Sequence, residues 1–155
     1  MRLAPVPVFF RDEPERAIAL AGESSRTTHG AATAVDACRY FAGLIVGALQ
    51  GASKEQLLAA RYHPGRGQWS PGELHPEIDE VASGSFLHRE PPEIKGTGYV
   101  VRSLEAALWA FARGEDFRGG AHYGLSGIPH AWHTRLALRE RVIALARGLL
   151  KRCPV

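Results

Sequence analysis

The segment from Ser25 to Gly30 gathers hydroxyl, guanidinium and imidazole groups directly before a long apolar stretch. It reads Ser-Ser-Arg-Thr-Thr-His-Gly once Ser24 is included, with no apolar residue among its members. Hydroxyl groups in this position can cap a following helix by accepting hydrogen bonds from its first backbone N–H groups. The same groups, together with the positive end of a helix dipole, suit the binding of a phosphate or a sugar. The pattern leaves both interpretations open.

Seven histidines raise the question of a metal site. His130 and His133 are three residues apart, and His122 is nearby. Zinc sites need His, Cys or carboxylate ligands that converge at close spacing, as in His-Glu-x-x-His or Cys-x-x-Cys, and neither motif occurs in the sequence. We therefore interpret these histidines as surface or helix-end residues.

The remaining candidate groups have structural interpretations. Carboxylates cluster at 12–15, 77–80 and 115–116, where they suit helix starts, a polar helix face and, for Asp116, a cap of the next turn. None has the spacing that a hard divalent cation demands. Ser126 lies in Gly-Leu-Ser-Gly, which is not a nucleophile elbow. The residues alone predict no catalytic and no metal-binding group.

Composition indicates one soluble globular domain spanning residues 1–155. The chain is 45% hydrophobic and 23% charged, and its formal charge of +3 is too modest to indicate nucleic-acid binding. Two cysteines, Cys38 and Cys153, make no disulfide framework, which favours a reducing, cytoplasmic setting. We expect no signal peptide and no membrane span.

The elements that must position these groups are predicted to be helical. The long helix beginning at residue 32 carries apolar residues at three- and four-residue steps, which predicts a central place in the core. Ser53 and Gln56 predict a capping box for a short helix. In the helix beginning at residue 101, the predicted buried stripe comprises Leu104, Ala107, Leu108 and Phe111. No run alternates in a way that predicts a strand. The predicted helices span 14–21 (closed by Gly22), 32–50, 54–61, 73–81, 101–112, 129–136 and 138–150.

Several segments, taken in order, resemble the ADP-ribosylglycohydrolase family, which includes the dinitrogenase reductase-activating glycohydrolase. Residues 1–7 are similar to the Met-Arg-x-x-Pro segment of the family, and residues 25–29 resemble its Ser-x-x-Thr-His segment. Residues 96–111 resemble its late Gly-x-Gly-Tyr-Val…Leu-x-x-Ala-Leu-Trp-Ala-Phe segment, and residues 121–132 resemble its closing stretch. The similarity extends over nearly the whole chain.

The resemblance implies an all-α fold, an orthogonal helical bundle. It implies hydrolysis of the glycosidic bond between ADP-ribose and a protein side chain or related acceptor, so ADP-ribose or an ADP-ribosylated protein is the implied partner. It places Thr28, His29 and Gly30 beside the bound ADP-ribose, and Gly98 and Tyr99 in the loop that borders the nucleotide. Tyr99 could stack on adenine, worth about 1–3 kcal/mol by analogy with base stacking, or it could be a core tyrosine.

Family members also bind two Mg²⁺ ions through carboxylates and threonine hydroxyls, and the ions activate water. The early Gly-Asp-x-x-Gly and Asp-Asp-Thr motifs are absent from this chain, and no late Asp-x-Asp-Thr motif lies between Phe117 and Ala121. We therefore expect a truncated domain whose late metal-binding segment is missing, with no ligands for the Mg²⁺ pair.

Three hypotheses follow from a chain that resembles the family but has no metal-ligand motifs. The chain is an ADP-ribosylglycohydrolase by descent whose hydrolytic activity is in question. Alternatively, it is a non-catalytic ADP-ribose-binding or interaction module, or half of a split enzyme completed by an N-terminal polypeptide. The third hypothesis is a degraded gene product, in which a lost helix leaves apolar surface uncovered on the helix over 32–50.

Overall fold

The computed structural model describes residues 3–116 and 118–120, and within them the fold is all-α, as the sequence predicts, with one small hairpin that it does not predict. The helices are α1 Pro5–Phe9, α2 Pro14–Arg26, α3 Ala32–Leu49, α4 Lys54–Leu57, α5 Pro76–Ala82 and α6 Val100–Arg113, with a 3₁₀ turn at Ser85–Leu87. The predicted helices over 129–136 and 138–150, together with His122, His130, His133, Ser126 and Cys153, lie outside the described residues.

α3 is the central helix of the described fold, and α2 packs along it in the opposite direction. Its buried side chains include Val35, Cys38 and Val46, as predicted, whereas Leu49 at its end is 46% exposed. α3 is long and apolar enough to cross a membrane by length and composition, but half of its residues are buried within the protein. The core helix of a globular protein has the same properties.

α2 is longer than the sequence predicts. Gly22 does not close the helix but lies inside it, where it faces α3. A Cβ atom at this position would lie 3.2 Å from Cγ of Arg39 and 3.4 Å from a methyl carbon of Val35. The glycine therefore allows the two helices to approach closely, and α2 continues to Arg26.

The buried face of α6 is rotated relative to the predicted stripe. Leu104 and Leu108 are buried, as predicted, but Ala107 is exposed and Phe111 is 44% exposed. Glu105 and Trp109 are buried in their place. The predicted stripe was therefore wrong at Ala107 and Phe111, and it did not include Glu105, a charged residue that is buried.

Glu105 can be buried because its carboxylate is fully partnered. It accepts hydrogen bonds from Ser85 Oγ and Arg89 at 2.6 Å each and from Arg102 at 2.9 Å. Burial acts to raise the pKa of this carboxyl, but the bonds from Ser85 and Arg102 and the charge of Arg89 outweigh it, so the pKa is lowered. The ionised group therefore anchors α6 to the 3₁₀ turn.

The connection between α4 and α5 contains structure that the sequence did not predict. The capping box of Ser53 and Gln56 is present, and α4 is shorter than expected, ending at Leu57. The sequence predicts no strand, but two short antiparallel strands lie here, β1 Tyr62–His63 and β2 Gly67–Gln68. Two-residue strands are too short to produce a readable alternation.

Candidate functional site

The hydroxyl-rich segment before α3 lies at the C-terminal end of α2. Thr27 Oγ1 donates to the carbonyl of Ser24 at 2.8 Å, and Ser25 Oγ donates to the carbonyl of His29 at 3.1 Å. α3 is preceded by Ala31, whose side chain provides no cap. The capping interpretation is therefore wrong: the hydroxyls donate to carbonyl groups in the last turn of α2 and in the connection after it, and they do not accept from N–H groups at the start of α3.

His29 and its neighbours form an exposed connection between α2 and α3. The residues from Thr27 to Ala31 are all exposed. Nδ1 of His29 lies 3.1 Å from Oγ1 of Thr28, and this contact orients the imidazole. The backbone N–H of His29 donates to the carbonyl of Ser25 at 2.7 Å, so the segment is held as a continuation of the α2 end.

The two predicted glycines have ordinary backbone geometry and open surroundings. A Cβ atom built on Gly30 or on Gly98 would meet no atom within 4 Å, and neither residue has a left-handed φ. Backbone strain does not require glycine at either position. Any role in binding would therefore come from the exposed backbone or from space left for a ligand.

Tyr99 is not a core residue, since its side chain is 44% exposed. Its hydroxyl donates to the Glu77 carboxylate, whose two oxygens lie 2.8 and 2.9 Å away. The pKa of Tyr99 is raised, chiefly by this bond, while the Thr33 hydroxyl and the positive charge of Arg102 act in the opposite direction. Tyr99 therefore lies at a polar surface, beside the first turn of α3.

The first turns of α3, α5 and α6 meet at one end of the bundle. Thr33 of α3 interacts with Tyr99, the residue before α6. The backbone N–H of His75, which precedes α5, donates to Asp36 Oδ2 of α3 at 2.7 Å. The positive end of α3 therefore lies beside the residue that precedes α6, and a helix start favours negative ligand groups.

The structure brings the two predicted halves of the site to this same end. Thr28, His29 and Gly30 directly precede α3, and Gly98 and Tyr99 directly precede α6. Sequence reasoning missed Thr33, Glu77 and Arg102 as residues of this region. Glu77 was interpreted only as part of a polar helix face, and nothing local to α5 signals its contact with a tyrosine 22 residues away.

The described residues do not fit the Mg²⁺ pair that the family resemblance implies. Within residues 3–116 and 118–120, no group of three or more His, Cys, Asp or Glu side chains could hold a metal ion. The carboxylate of Asp36 already accepts from Arg39 at 2.8 Å and from the His75 N–H. No metal-dependent step is derived from these residues.

Comparison with known proteins gives consistent matches. The profile of the ADP-ribosylglycohydrolase family matches residues 1–120. An ADP-ribosylarginine hydrolase Tri1 from Pseudomonas putida (strain GB-1) is 29% identical, over 99% of this chain and 45% of its own length. The Tri1 of Serratia proteamaculans (strain 568) is 25% identical, over 99% of this chain and 46% of its own length. The chain thus spans about half the length of these curated relatives. No solved structure shows significant similarity to it.

Proposed function

This chain belongs to the ADP-ribosylglycohydrolase family, and from that premise we propose that it binds ADP-ribosyl groups where α2 ends and α3 and α6 begin. The observation that carries the proposal is a pair of hydrogen bonds that link the loop before α6 to α3 through α5. The Tyr99 hydroxyl donates to Glu77 of α5, and the N–H of His75, two residues before Glu77, donates to Asp36 of α3. The exposed ring of Tyr99 and the start of α3 thereby share one surface.

Each part of this surface suits a different part of the ligand. The start of α3, where the first backbone N–H groups have no partner within the helix, suits the diphosphate together with the exposed residues Thr28, His29 and Gly30, because backbone donors and the helix dipole favour anions. The exposed ring of Tyr99, with Gly98 beside it, suits the adenine, because aromatic faces stack on bases. The ligand would therefore lie across the bundle end, from the α2–α3 connection to the loop before α6.

The substrate class follows from the relatives. Both curated relatives are named as ADP-ribosylarginine hydrolases, and we propose that this chain recognises ADP-ribose attached to a protein side chain. Hydrolysis needs an activated water. If a Mg²⁺ pair supplied that activation, its ligands would have to come from outside the described residues. We propose a cytoplasmic setting, in keeping with a buried cysteine at position 38 and a chain whose two cysteines make no disulfide framework.

Calorimetric titration with ADP-ribose tests the binding proposal. We expect the 155-residue chain to bind, and we expect His29→Ala to weaken binding by roughly tenfold or more, in line with the loss of a hydrogen bond to a charged group. His88→Ala removes another exposed histidine and should leave affinity unchanged. Absence of binding heat in the unmodified protein would refute the proposal.

An activity assay separates binding from hydrolysis. The purified chain is incubated with Mg²⁺ and ADP-ribosylarginine, with and without EDTA. We expect binding without turnover. Robust turnover that EDTA abolishes would show that this chain does hold the metal ligands, and our account of their loss would be wrong.

A second candidate function is favoured by an exposed apolar surface formed by Val8, Phe9 and Leu49, here called the α1 surface. Their exposed fractions are 45%, 80% and 46%. The side-chain amide of Gln50 donates to the carbonyl of Arg11 at 2.8 Å, which holds the ends of α1 and α3 near each other. Apolar side chains exposed in this way are typical of protein–protein contacts. We propose as the alternative that the chain acts with a polypeptide supplying the early half of the family.

Complementation tests this alternative. The portion of the Pseudomonas putida relative that this chain does not match is produced separately and mixed with the chain. Association and Mg²⁺-dependent hydrolysis of ADP-ribosylarginine are the expected results. If the two polypeptides neither associate nor act together, the split-enzyme proposal fails, while the binding proposal keeps its own test.

A further inference from the structure

We propose that Glu77 is a positioning residue that holds the exposed Tyr99 ring, through its hydroxyl, in the orientation that receives the adenine of the ligand. The inference rests on the proposed function, because it assigns a role within the same surface. It adds a residue that lies on α5, outside all four segments that resemble the family motifs.

Tyr99 needs a partner to hold its ring in place. Its backbone is fixed, since its N–H donates to Thr97 Oγ1 at 3.1 Å and its carbonyl accepts from the Ser103 N–H at 3.1 Å. The side chain is different, because nearly half of its surface faces solvent. An exposed aromatic side chain that is free to change rotamer must be ordered when a ligand stacks on it, and that ordering lowers affinity.

Glu77 can fix the position of the Tyr99 hydroxyl because the residues before and after Glu77 are themselves held by contacts with the rest of the fold. His75, two residues before Glu77, donates its N–H to Asp36 of α3. The following residue, Ile78, is completely buried. Asp79 forms a two-point ion pair with Arg61, with both N–O distances at 2.7 Å. The backbone of Glu77 is therefore tied to three other parts of the fold.

The bond also constrains what can lie beside Tyr99. Both oxygens of Glu77 are within hydrogen-bonding distance of one hydroxyl, so the carboxylate contacts the hydroxyl end of the ring and not one of its faces. A negative carboxylate in this place disfavours a nearby diphosphate. Adenine is therefore the part of the ligand that fits beside Tyr99, and the diphosphate belongs at the α2–α3 connection.

A double-mutant cycle tests the assignment. ADP-ribose affinity is measured by calorimetry for the unmodified chain, Glu77→Ala, Tyr99→Phe and the double variant. Each single change removes the Tyr99–Glu77 bond, so we expect each to weaken binding by about three- to tenfold, the range for one hydrogen bond. Because the bond can be lost only once, the double variant should bind no more weakly than Tyr99→Phe.

Three further measurements guard against a general structural effect. Glu77→Gln keeps an acceptor oxygen and should restore most of the affinity that Glu77→Ala loses. Glu93→Ala changes another exposed carboxylate and should bind like the unmodified chain. Thermal melting of every variant shows whether the fold survives, and Glu77→Gln keeps the test usable if Glu77→Ala does not fold.

The outcomes separate this inference from the function on which it rests. An unmodified chain that does not bind ADP-ribose removes both proposals. A chain that binds ADP-ribose, but whose Glu77→Ala variant binds equally well, overturns only the role of Glu77. Additive losses in the double variant would also overturn it, since they would show that the two side chains act independently.

Discussion

His63 illustrates at the scale of one residue how this fold buries a titratable group. The side chain is fully buried, and Nδ1 accepts hydrogen bonds from the backbone N–H groups of Gly65 at 3.1 Å and Arg66 at 3.2 Å. Its ring contacts Trp69 edge-to-face at 4.8 Å. Burial, and then the positive charge of Arg66, lower the pKa of His63, while Glu15 and Glu73 act in the opposite direction. The neutral imidazole is therefore part of the hairpin turn.

We expect His63 to make the protein less stable as the pH falls below about 6.5, the usual histidine value. The unfolded chain then binds a proton that the folded chain does not, so its contribution, complete above that pH, is lost on acidification. His63→Asn keeps an acceptor for the turn but cannot titrate. The free energy of unfolding, measured by urea denaturation between pH 7 and 5, should fall by about 1 kcal/mol less in this variant.

His88→Asn is the matched control for this prediction, because His88 is exposed. It should keep the pH dependence of the unmodified protein. Equal slopes for His63→Asn and the unmodified chain would contradict the role assigned to the buried imidazole.

At the scale of elements, the end of α3 depends on backbone geometry. Gly51 follows the last residues of the helix and has a φ of +89°, in the region that favours glycine. A side chain there would meet no atom within 4 Å, so space is not the constraint. The left-handed backbone alone makes glycine the suitable residue.

Gly51→Ala should therefore destabilise the protein by about 1 kcal/mol, the usual penalty for an L-residue in this conformation. Gly30→Ala is a close control, because that glycine is equally open but has no left-handed φ. It should leave stability unchanged or slightly raise it, since alanine restricts the unfolded chain. Chemical denaturation of the two variants compares them directly, and equal effects would contradict the explanation.

At the scale of the whole molecule, the two ends of α3 have different chemistry. One end carries the polar surface that includes His29 and Tyr99, and the other lies beside the apolar α1 surface. An α-helix of 18 residues separates its ends by about 27 Å. Contacts at the α1 surface should therefore be independent of ligand binding at the other end.

Phe9→Asp tests this separation. We expect the unmodified chain to associate at high concentration through its α1 surface, and we expect the variant to remain monomeric in sedimentation experiments because a charge is costly to bury. ADP-ribose affinity should be the same for both proteins. An unmodified chain that stays monomeric with a sharp cooperative melt would contradict both this prediction and the idea of a degraded gene product.

Local patterns in the sequence were sufficient for the family, the all-α class and several helix boundaries. The steps of three and four residues along α3, and the Ser53–Gln56 capping box, are repeated or short-range signals that need no knowledge of distant residues. The five predicted binding residues came from resemblance to family motifs, and their role in binding stays a prediction.

Only the tertiary structure decided which side of α6 is buried and what holds Tyr99. Glu105 enters the core because Ser85 and Arg89, 20 and 16 residues away, neutralise and satisfy it. Tyr99 is directed by Glu77, 22 residues away. A charged residue is usually solvated unless it is paired, and the pairing partners of these groups come from other elements. Such contacts depend on how the helices pack, which no local pattern encodes.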